Sequence, residues 1–504
     1  MVSRVRRDRI SAVDTAWLRM DRPHNLMMIC GVLVFDRRVG FARLRRVVEK
    51  RFLVFGRFRQ RAVEQPGFSV WDTDPGFDVK HHLLQVSLPG DAGRRELQTL
   101  VSALIATPLD ASRPMWQFHL IDNYEGASAL VARIHHCYAD GMALVRVMLS
   151  MTDASLDGPP AMPFDAPKAH RPASDDDLLD AASEPIAEVV KAAQDIAKLL
   201  LDRGSGLLQD PAKALSLVGQ GGALTIEALK LALMGQDSPT RLKGQPQTVK
   251  RVAWADPLPL DEVKVVGKAL SASVNDVLLS CVAGAVRSYL ADKRDKVEDV
   301  MIRALVPVNL RPPEKAYRLG NKFGLVFLDL PVGIENPITR LYAVRANMRA
   351  LKGSYQPVLA MFLLGAMGAG PRVLQETLLG LLARNATAVM TNVPGPQQPL
   401  YMAGAKIESL MFWVPQSGDL GMGVSLLSYD GNVQFGLVTD RVLFPDPEAI
   451  VERFAGEFEK LVLTTLMSPW PREGELDPEV AERAMASAWP SCPTSDAVQT
   501  ASSP

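Results

Sequence analysis

Apolar residues change their spacing several times along the chain, and each change predicts an element. Leu26 to Phe35 is an almost unbroken apolar run of strand length, and Leu130-Val131-Ala132-Arg133-Ile134-His135-His136 has the same character. Met142 to Met148 then resumes as a helix. Ser11 stands ahead of Ala12-Val13-Asp14-Thr15-Ala16-Trp17-Leu18, which reads as a short helix behind a hydroxyl cap. Farther on, Val274-Asn275-Asp276-Val277-Leu278-Leu279 opens a helix with Asn275 or Asp276 available as its cap. Ile302 to Val308 and Phe323 to Leu330 read as strands, and Ser428-Tyr429-Asp430-Gly431-Asn432 as a hairpin turn, because Asp-Gly accepts positive backbone angles. Both periods are present and no repeat is found, so the class is mixed α/β.

At 504 residues the chain exceeds what one hydrophobic core usually supports, and changes in composition divide it. Residues 1–157 form a first α/β domain and residues 248–470 a second. Between them, residues 158–247 carry Pro159-Pro160, Pro163, Pro167, the acidic run Asp175-Asp176-Asp177 and Gly219-Gln220-Gly221-Gly222, the marks of a linker. From Ile186 onward Val189, Val190, Ile196, Leu199 and Leu200 recur near helical spacing, so the linker has helices of its own, packed on a domain or laid on a membrane surface. Residues 471–504 are an extension whose end, rich in Ser, Pro, Ala and Thr, is expected to be disordered. The most apolar stretch, Val358 to Ala369, contains Gly365 and Gly368 and stops at Pro371. It falls short of the roughly 20 apolar residues of a membrane span. Met361-Phe362-Leu363-Leu364 within it would pack in a core or line an acyl channel.

Composition adds limits. With 47% hydrophobic and 22% charged residues the chain is globular, and a formal net charge of zero gives no general attraction to nucleic acid. The charge is uneven: from Met1 to Arg61 there are fifteen Arg and one Lys against five acids. That is a set of solvated helix faces, or a surface for anionic headgroups or nucleotide phosphates. Cys30, Cys137, Cys281 and Cys492 lie far apart with no Cys-x-x-Cys pair, which points to a reducing, cytoplasmic setting and away from zinc or a disulfide framework. No continuous apolar segment follows the charged start, so a secretory leader is not expected.

The candidate chemistry lies in His135-His136-Cys137-Tyr138-Ala139-Asp140-Gly141, at the end of an apolar strand. Alternation on a strand sends His135 and His136 to opposite faces, so they cannot do the same work. One imidazole can face an interdomain space while the other packs, and Gly141 lets the chain turn behind Asp140. A neutral imidazole with pKa near ~6.5 suits removal of a proton from an alcohol. The pair alone is equally compatible with a structural role; a metal role lacks a third ligand nearby. His81-His82, with no following Asp-Gly, is read as structural. Cys137 as a nucleophile is disfavoured because adjacent strand residues point apart.

This motif resembles the His-His-x-x-x-Asp-Gly signature of the bacterial wax ester synthase/diacylglycerol acyltransferase family. A wider superfamily of chloramphenicol acetyltransferases, peptide-synthetase condensation domains and polyketide-associated acyltransferases shares it. Narrower likenesses are Pro108-Leu109-Asp110-Ala111-Ser112-Arg113-Pro114-Met115-Trp116, Asn275-Asp276, Val306-Pro307-Val308-Asn309-Leu310-Arg311, Gly320-Asn321, Thr391-Asn392-Val393-Pro394-Gly395-Pro396 and Ser428-Tyr429-Asp430-Gly431. Met115 replaces the usual Leu, and Pro23-His24-Asn25-Leu26-Met27-Met28 stands where Pro-Met-His is frequent.

The resemblance implies two chloramphenicol-acetyltransferase-like domains, joined by the helical linker and meeting at a channel. It implies His136 as the catalytic base and Asp140 as the residue that keeps the site in shape, with His135 and Gly141 supporting. A buried carboxylate needs a partner, and Arg311 is the candidate. Asn275 and Thr391 are candidate donors to the tetrahedral oxyanion, with helix capping and turn formation as their alternative roles. The implied co-substrate is acyl-CoA, with no permanently bound cofactor and no metal. The acceptor would be diacylglycerol or a long-chain alcohol, transferred to directly. Another alcohol or amine acceptor, or a non-catalytic lipid-droplet or membrane-binding protein on this fold, are the alternatives. Contact with the inner membrane or lipid inclusions would be peripheral.

Overall fold

The computed structural model describes residues 8–161 apart from 66, 67 and 157, and residues 234–467 apart from 312–318, 373, 374, 377, 378, 381–383 and 417–419. Most of the linker, including its expected helix from Ile186, and the extension from 468 onward lie outside the described residues.

The first half runs β1 (Asp8–Arg9), α1 (Ala12–Arg19), β2 (Met28–Phe35), α2 (Phe41–Val47), β3 (Gln60–Gln65), β4 (Phe68–Thr73), β5 (Leu83–Val86), α3 (Arg94–Ile105), β6 (Trp116–Ile121), β7 (Ala129–His135) and α4 (Gly141–Ser150). The second runs β8 (Lys250–Trp254), β9 (Leu258–Pro259), α5 (Leu260–Ala269), α6 (Val274–Asp292), β10 (Ile302–Asn309), β11 (Phe323–Leu330), α7 (Pro337–Leu351), α8 (Gln356–Ala369), β12 (Ala388–Pro394), β13 (Tyr401–Met402), β14 (Ala405–Trp413), β15 (Met422–Tyr429), β16 (Asn432–Asp440) and α9 (Pro447–Met467). Mixed sheets with helices around them give the α/β class expected.

Local chemistry explains the boundaries. Ser11 is extended and its hydroxyl accepts from Asp14 N, so α1 starts where a cap was expected. Asp430 (φ 45°) and Gly431 (φ 76°) take the left-handed angles that close the β15–β16 hairpin. For α6 the expected cap is corrected. Ser273, not Asn275 or Asp276, is the cap, because its extended backbone lets its hydroxyl accept from Asp276 N while the Asp276 carboxylate accepts from Ser273 N.

Two main sheets form. One has the order β13-β14-β2-β7-β6-β5, the other β11-β10-β12-β15-β16-β8 with β9 beside β16. The strand β14 comes from the second half of the chain yet pairs antiparallel with β2, from Ile407 opposite Phe35 to Trp413 opposite Cys30. The first sheet is therefore completed across the division in the sequence.

Every residue of β7 is buried. Leu130, Ala132 and Ile134 enter one core with Val13 and Trp17, while Ala129 and Val131 enter another with Trp254 and Trp413. Each large apolar side chain so buried contributes about 1.5–3 kcal/mol. A separate core gathers α5, α6, α7 and α9 on the second sheet. The apolar segment Val358 to Ala369 becomes α8, whose Leu364 and Met367 pack in the first core. A Cβ at Gly368 would collide with Ala12 O, so glycine permits the close approach of α8 to α1. Among the described residues no single helix is long and apolar enough to cross a bilayer. Only α5 and α6 together reach that length, meeting at 98°, and α6 is largely buried in the second core.

Candidate active site

The face that carries Leu130, Ala132 and Ile134 points toward α1, and His136 continues it one step past the strand. His135 N donates to Met115 O (3.0 Å) and His136 N to Met27 O (2.7 Å), so the two backbones pair to opposite neighbours. Trp17 of α1 stacks on the His136 ring at 4.2 Å with 20° between planes, and Phe323 flanks it at 5.6 Å. Its Nδ1 is sealed without a hydrogen-bond partner, and the residue borders the cavity described below. Burial pushes its pKa down to about 4, opposed by the charge of Asp140 and by contacts with its own carbonyl and Asn321. His135 is buried without reaching that cavity; its Nδ1 lies 3.2 Å from Cys137 N, and burial, then His136, pushes its pKa down to about 3. Both rings are neutral at pH 7.

Asp140 does not bond to His136. Its Oδ1 accepts from Ala143 N (2.8 Å), capping α4, and its Oδ2 accepts from Arg311 Nη2 (2.5 Å) and Lys322 N (3.0 Å). Arg311 also donates to Gly320 O at 2.6 Å. This buried ion pair ties the start of α4 to the segment between β10 and β11. Burial holds the Cys137 thiol well above its usual pKa, so it carries no thiolate. His82 behaves as a structural histidine, its Nδ1 2.8 Å from Trp116 O and its ring stacked on Trp116 and Phe77.

A cavity of about 260 Å³ opens between the two sheets. Trp17, His136, Asp140, Gly141 and Met142 form one wall; Leu305, Pro307, Asn309, Phe323, Leu325 and residues 389 and 391–394 form the other, with Phe412, Val414 and Pro415 beside them. His136 and Asp140 are its titratable side chains. Among the described residues no group of three or more His, Cys, Asp or Glu side chains could hold a metal.

Several expectations need correction. Gly141 has no positive φ; the turn is made by the extended backbone of Asp140, and a Cβ at Gly141 would meet nothing within 4 Å. Its missing side chain instead leaves room in the cavity. Asn275 does not border this cavity: its Oδ1 accepts from Asn392 Nδ2, and it faces a separate recess. Thr391 does border it, but its buried hydroxyl bonds Val424 O at 3.3 Å. Of Met361, Leu363 and Leu364, none borders the cavity.

Comparison with known proteins accords with this arrangement. The model of the wax ester synthase/diacylglycerol acyltransferase catalytic domain matches residues 10–278, and the WS/DGAT C-terminal domain matches residues 319–462. The chain belongs to this family. The acyltransferase is 26% identical over 419 residues to tgs1, a probable diacylglycerol O-acyltransferase of Mycobacterium tuberculosis, covering 81% of this chain and 84% of that one. Its fold is similar to that of the wax ester synthase/diacylglycerol acyltransferase from Marinobacter aquaeolei VT8, with TM-score 0.65 and 23% identity, over 91% of this chain and all (100%) of the other. The first condensation domain of the calcium-dependent antibiotic synthetase shares the fold at TM-score 0.57 and 15% identity, over 90% and 96% of the two chains.

Four side chains of the acyltransferase escape the sequence reading. Trp17 and Phe323 hold the His136 ring, and Asn321 Nδ2 donates to His136 O (2.8 Å) and to Asp14 Oδ1 (2.7 Å), which also accepts from Asn321 N (2.9 Å). Burial raises the pKa of Asp14, against the hydrogen bonds from Asn321 and the charge of Arg57. In the sequence the Gly320-Asn321 dipeptide is only a family likeness; nothing local assigns it a contact with His136.

Proposed function

We propose that this acyltransferase moves a long-chain acyl group from acyl-CoA directly to the hydroxyl of diacylglycerol or of a long-chain alcohol, with His136 as general base. The observation that carries this reading is the cavity wall, which offers one neutral, buried imidazole and no available nucleophile. Asp140 is occupied by Arg311, Lys322 and the α4 amide, and the Thr391 hydroxyl by Val424. In the reaction the acceptor oxygen attacks the thioester carbon as its proton passes to His136 Nε2. The tetrahedral intermediate collapses by breaking the C–S bond, and the CoA sulfur receives that proton, giving ester and free CoA. Asp140 and Arg311 position the strand end and the α4 start.

Negative charge on the former thioester oxygen needs a donor, worth ~3 kcal/mol of barrier stabilisation. Asn309 and Asn392 are the amides the cavity offers in place of Asn275. The apolar wall fits a long acyl chain, and the printed names of the mycobacterial relatives support diacylglycerol as an acceptor. The protein would work in the cytoplasm, meeting membrane or lipid inclusions only peripherally.

The test is release of CoA thiol from palmitoyl-CoA, with hexadecanol or diacylglycerol as acceptor, by wild type and His136→Ala. Acceptor-dependent release that disappears in the variant is expected. Undiminished release by folded His136→Ala would defeat the assignment of the base, and no release by wild type with either acceptor would defeat the substrates.

A further inference from the structure

A second recess, of about 330 Å³, lies beside the catalytic cavity between the loop ahead of α6 and the end of α7. Arg345, Arg349 and Lys352 border it, at a spacing that places them on one face of α7 and its C-terminal cap. None of the three forms an ion pair among the described residues; the guanidinium carbon of Arg345 lies over the Tyr342 ring, 5.9 Å from its centroid. The one acid on the wall, Asp276, is held by the backbone and hydroxyl of Ser273 at 2.8 and 2.7 Å. Ser271 Oγ, also on the wall, is sealed without a partner. The recess is thus cationic, with the Asn275 amide on its wall.

Its position gives the charge a meaning. Asn275 borders the recess, Asn392 borders the His136 cavity, and the two side chains are hydrogen-bonded to each other. One pair of amides therefore separates an anion-attracting recess from an apolar reaction cavity. An acyl-CoA has the complementary layout: a nucleotide with three phosphates at one end, an acyl thioester at the other, and a flexible arm between. Arginine side chains pair with phosphate oxygens in forked geometry, which a thioester or a neutral acceptor cannot use.

We infer that Arg345, Arg349 and Lys352 hold the nucleotide phosphates of the acyl-CoA donor, an assignment that rests on the acyl-transfer reading of the neighbouring cavity. Cations at a helix C-terminus also favour its dipole. That role alone would leave nucleotide binding unchanged when the charges are removed, so the two explanations part experimentally.

The experiment compares wild type with a full-length Arg345→Gln, Arg349→Gln, Lys352→Gln variant. Arg349 and Lys352 are exposed and Arg345 half-buried, so the fold should tolerate the changes, checked by thermal unfolding. Calorimetry with adenosine 3′,5′-bisphosphate should show at least a ~10-fold loss of affinity. In turnover, the KM for palmitoyl-CoA should rise by a similar factor with kcat kept, while the KM for palmitoyl-pantetheine, which lacks the nucleotide, stays unchanged. Equal bisphosphate affinity in the two proteins, or equal KM changes for the two donors, would overturn the assignment. Loss of binding to phosphatidylglycerol vesicles with bisphosphate affinity intact would also overturn it, making the recess a headgroup site. Should wild type bind bisphosphate through these residues yet turn over neither thioester, the anion site would stand and the acyl-transfer reading would fall.

Discussion

The depressed pKa of His136 predicts an unusual pH profile. A general base must be neutral to act, and an ordinary imidazole with pKa near ~6.5 would be neutral in only about 3% of molecules at pH 5. With burial holding His136 down to about 4, roughly nine-tenths of the folded protein keeps the neutral base at pH 5. The expected kcat/KM at pH 5 is therefore close to its value at pH 7.5, with an acid limb centred near 4. Palmitoyl-pantetheine is the suitable donor, because the secondary ionisation of a phosphate near pH ~6 would otherwise enter the profile. Tryptophan fluorescence recorded in parallel identifies the pH range over which the protein stays folded. An acid limb near 6.5 in folded protein would refute the argument that burial sets the base.

The same shift has a consequence for stability. The folded state disfavours protonated His136, so its contribution is fully present above the unfolded pKa near 6.5 and is lost as pH falls toward about 4. For this ring alone the loss is on the order of 3 kcal/mol. His135, held down to about 3, and His119, held down to about 4, act in the same direction. Stability should therefore decline through the window from pH 6.5 to 4, measured by urea unfolding at several pH values; a flat response across that window would contradict it.

Two further predictions concern the surroundings of His136. Arg311→Met leaves the Asp140 carboxylate buried without its guanidinium and should destabilise by about 3–5 kcal/mol, while Asp140→Asn combined with Arg311→Met should recover a substantial part of the loss; additive effects in a urea-unfolding cycle would disprove the coupling. Gly141→Ala should leave the unfolding transition within about 0.5 kcal/mol of wild type, since the added methyl meets no protein atom, yet should lower kcat/KM for palmitoyl-CoA by occupying the cavity; a variant with lowered stability and normal kinetics would invert the assignment.

What could be read from the sequence follows from how local its causes are. The Ser11 cap, the Asp430-Gly431 turn, the β7 strand and α4 depend on neighbours within a few residues, and each appears where expected. For Asn275 the capping reading was local and the donor reading came from the resemblance alone, and neither pointed to its actual partner, Asn392, 117 residues away. The role of Gly141 was misjudged for a related reason: a glycine after an aspartate signals a turn, but its significance here is empty volume opposite β10 and β12. The pairing of Arg311 with Asp140 across 171 residues was reachable only by joining the requirement that a buried carboxylate find a cation to the place of Arg311 in a family-like segment.

The remaining structure of the site shows why neither half of the chain suffices. His136 is supplied by the first sheet, but Asn321 reaches back 185 residues to its carbonyl and 307 residues to Asp14, while Phe323 flanks the ring. Those residues, with Arg311, lie beyond the end of the catalytic-domain match at residue 278. A fragment ending there would retain the signature motif yet leave Asp140 without its ion-pair partner and the His136 carbonyl and Asp14 without the Asn321 amide. The strand β14 adds the same dependence to the scaffold, since β2, whose neighbour β7 carries the histidines, would lose its other partner and expose an unpaired edge. The motif thus marks where the buried imidazole of His136 is, while the environment that keeps it neutral and oriented is a property of both halves together.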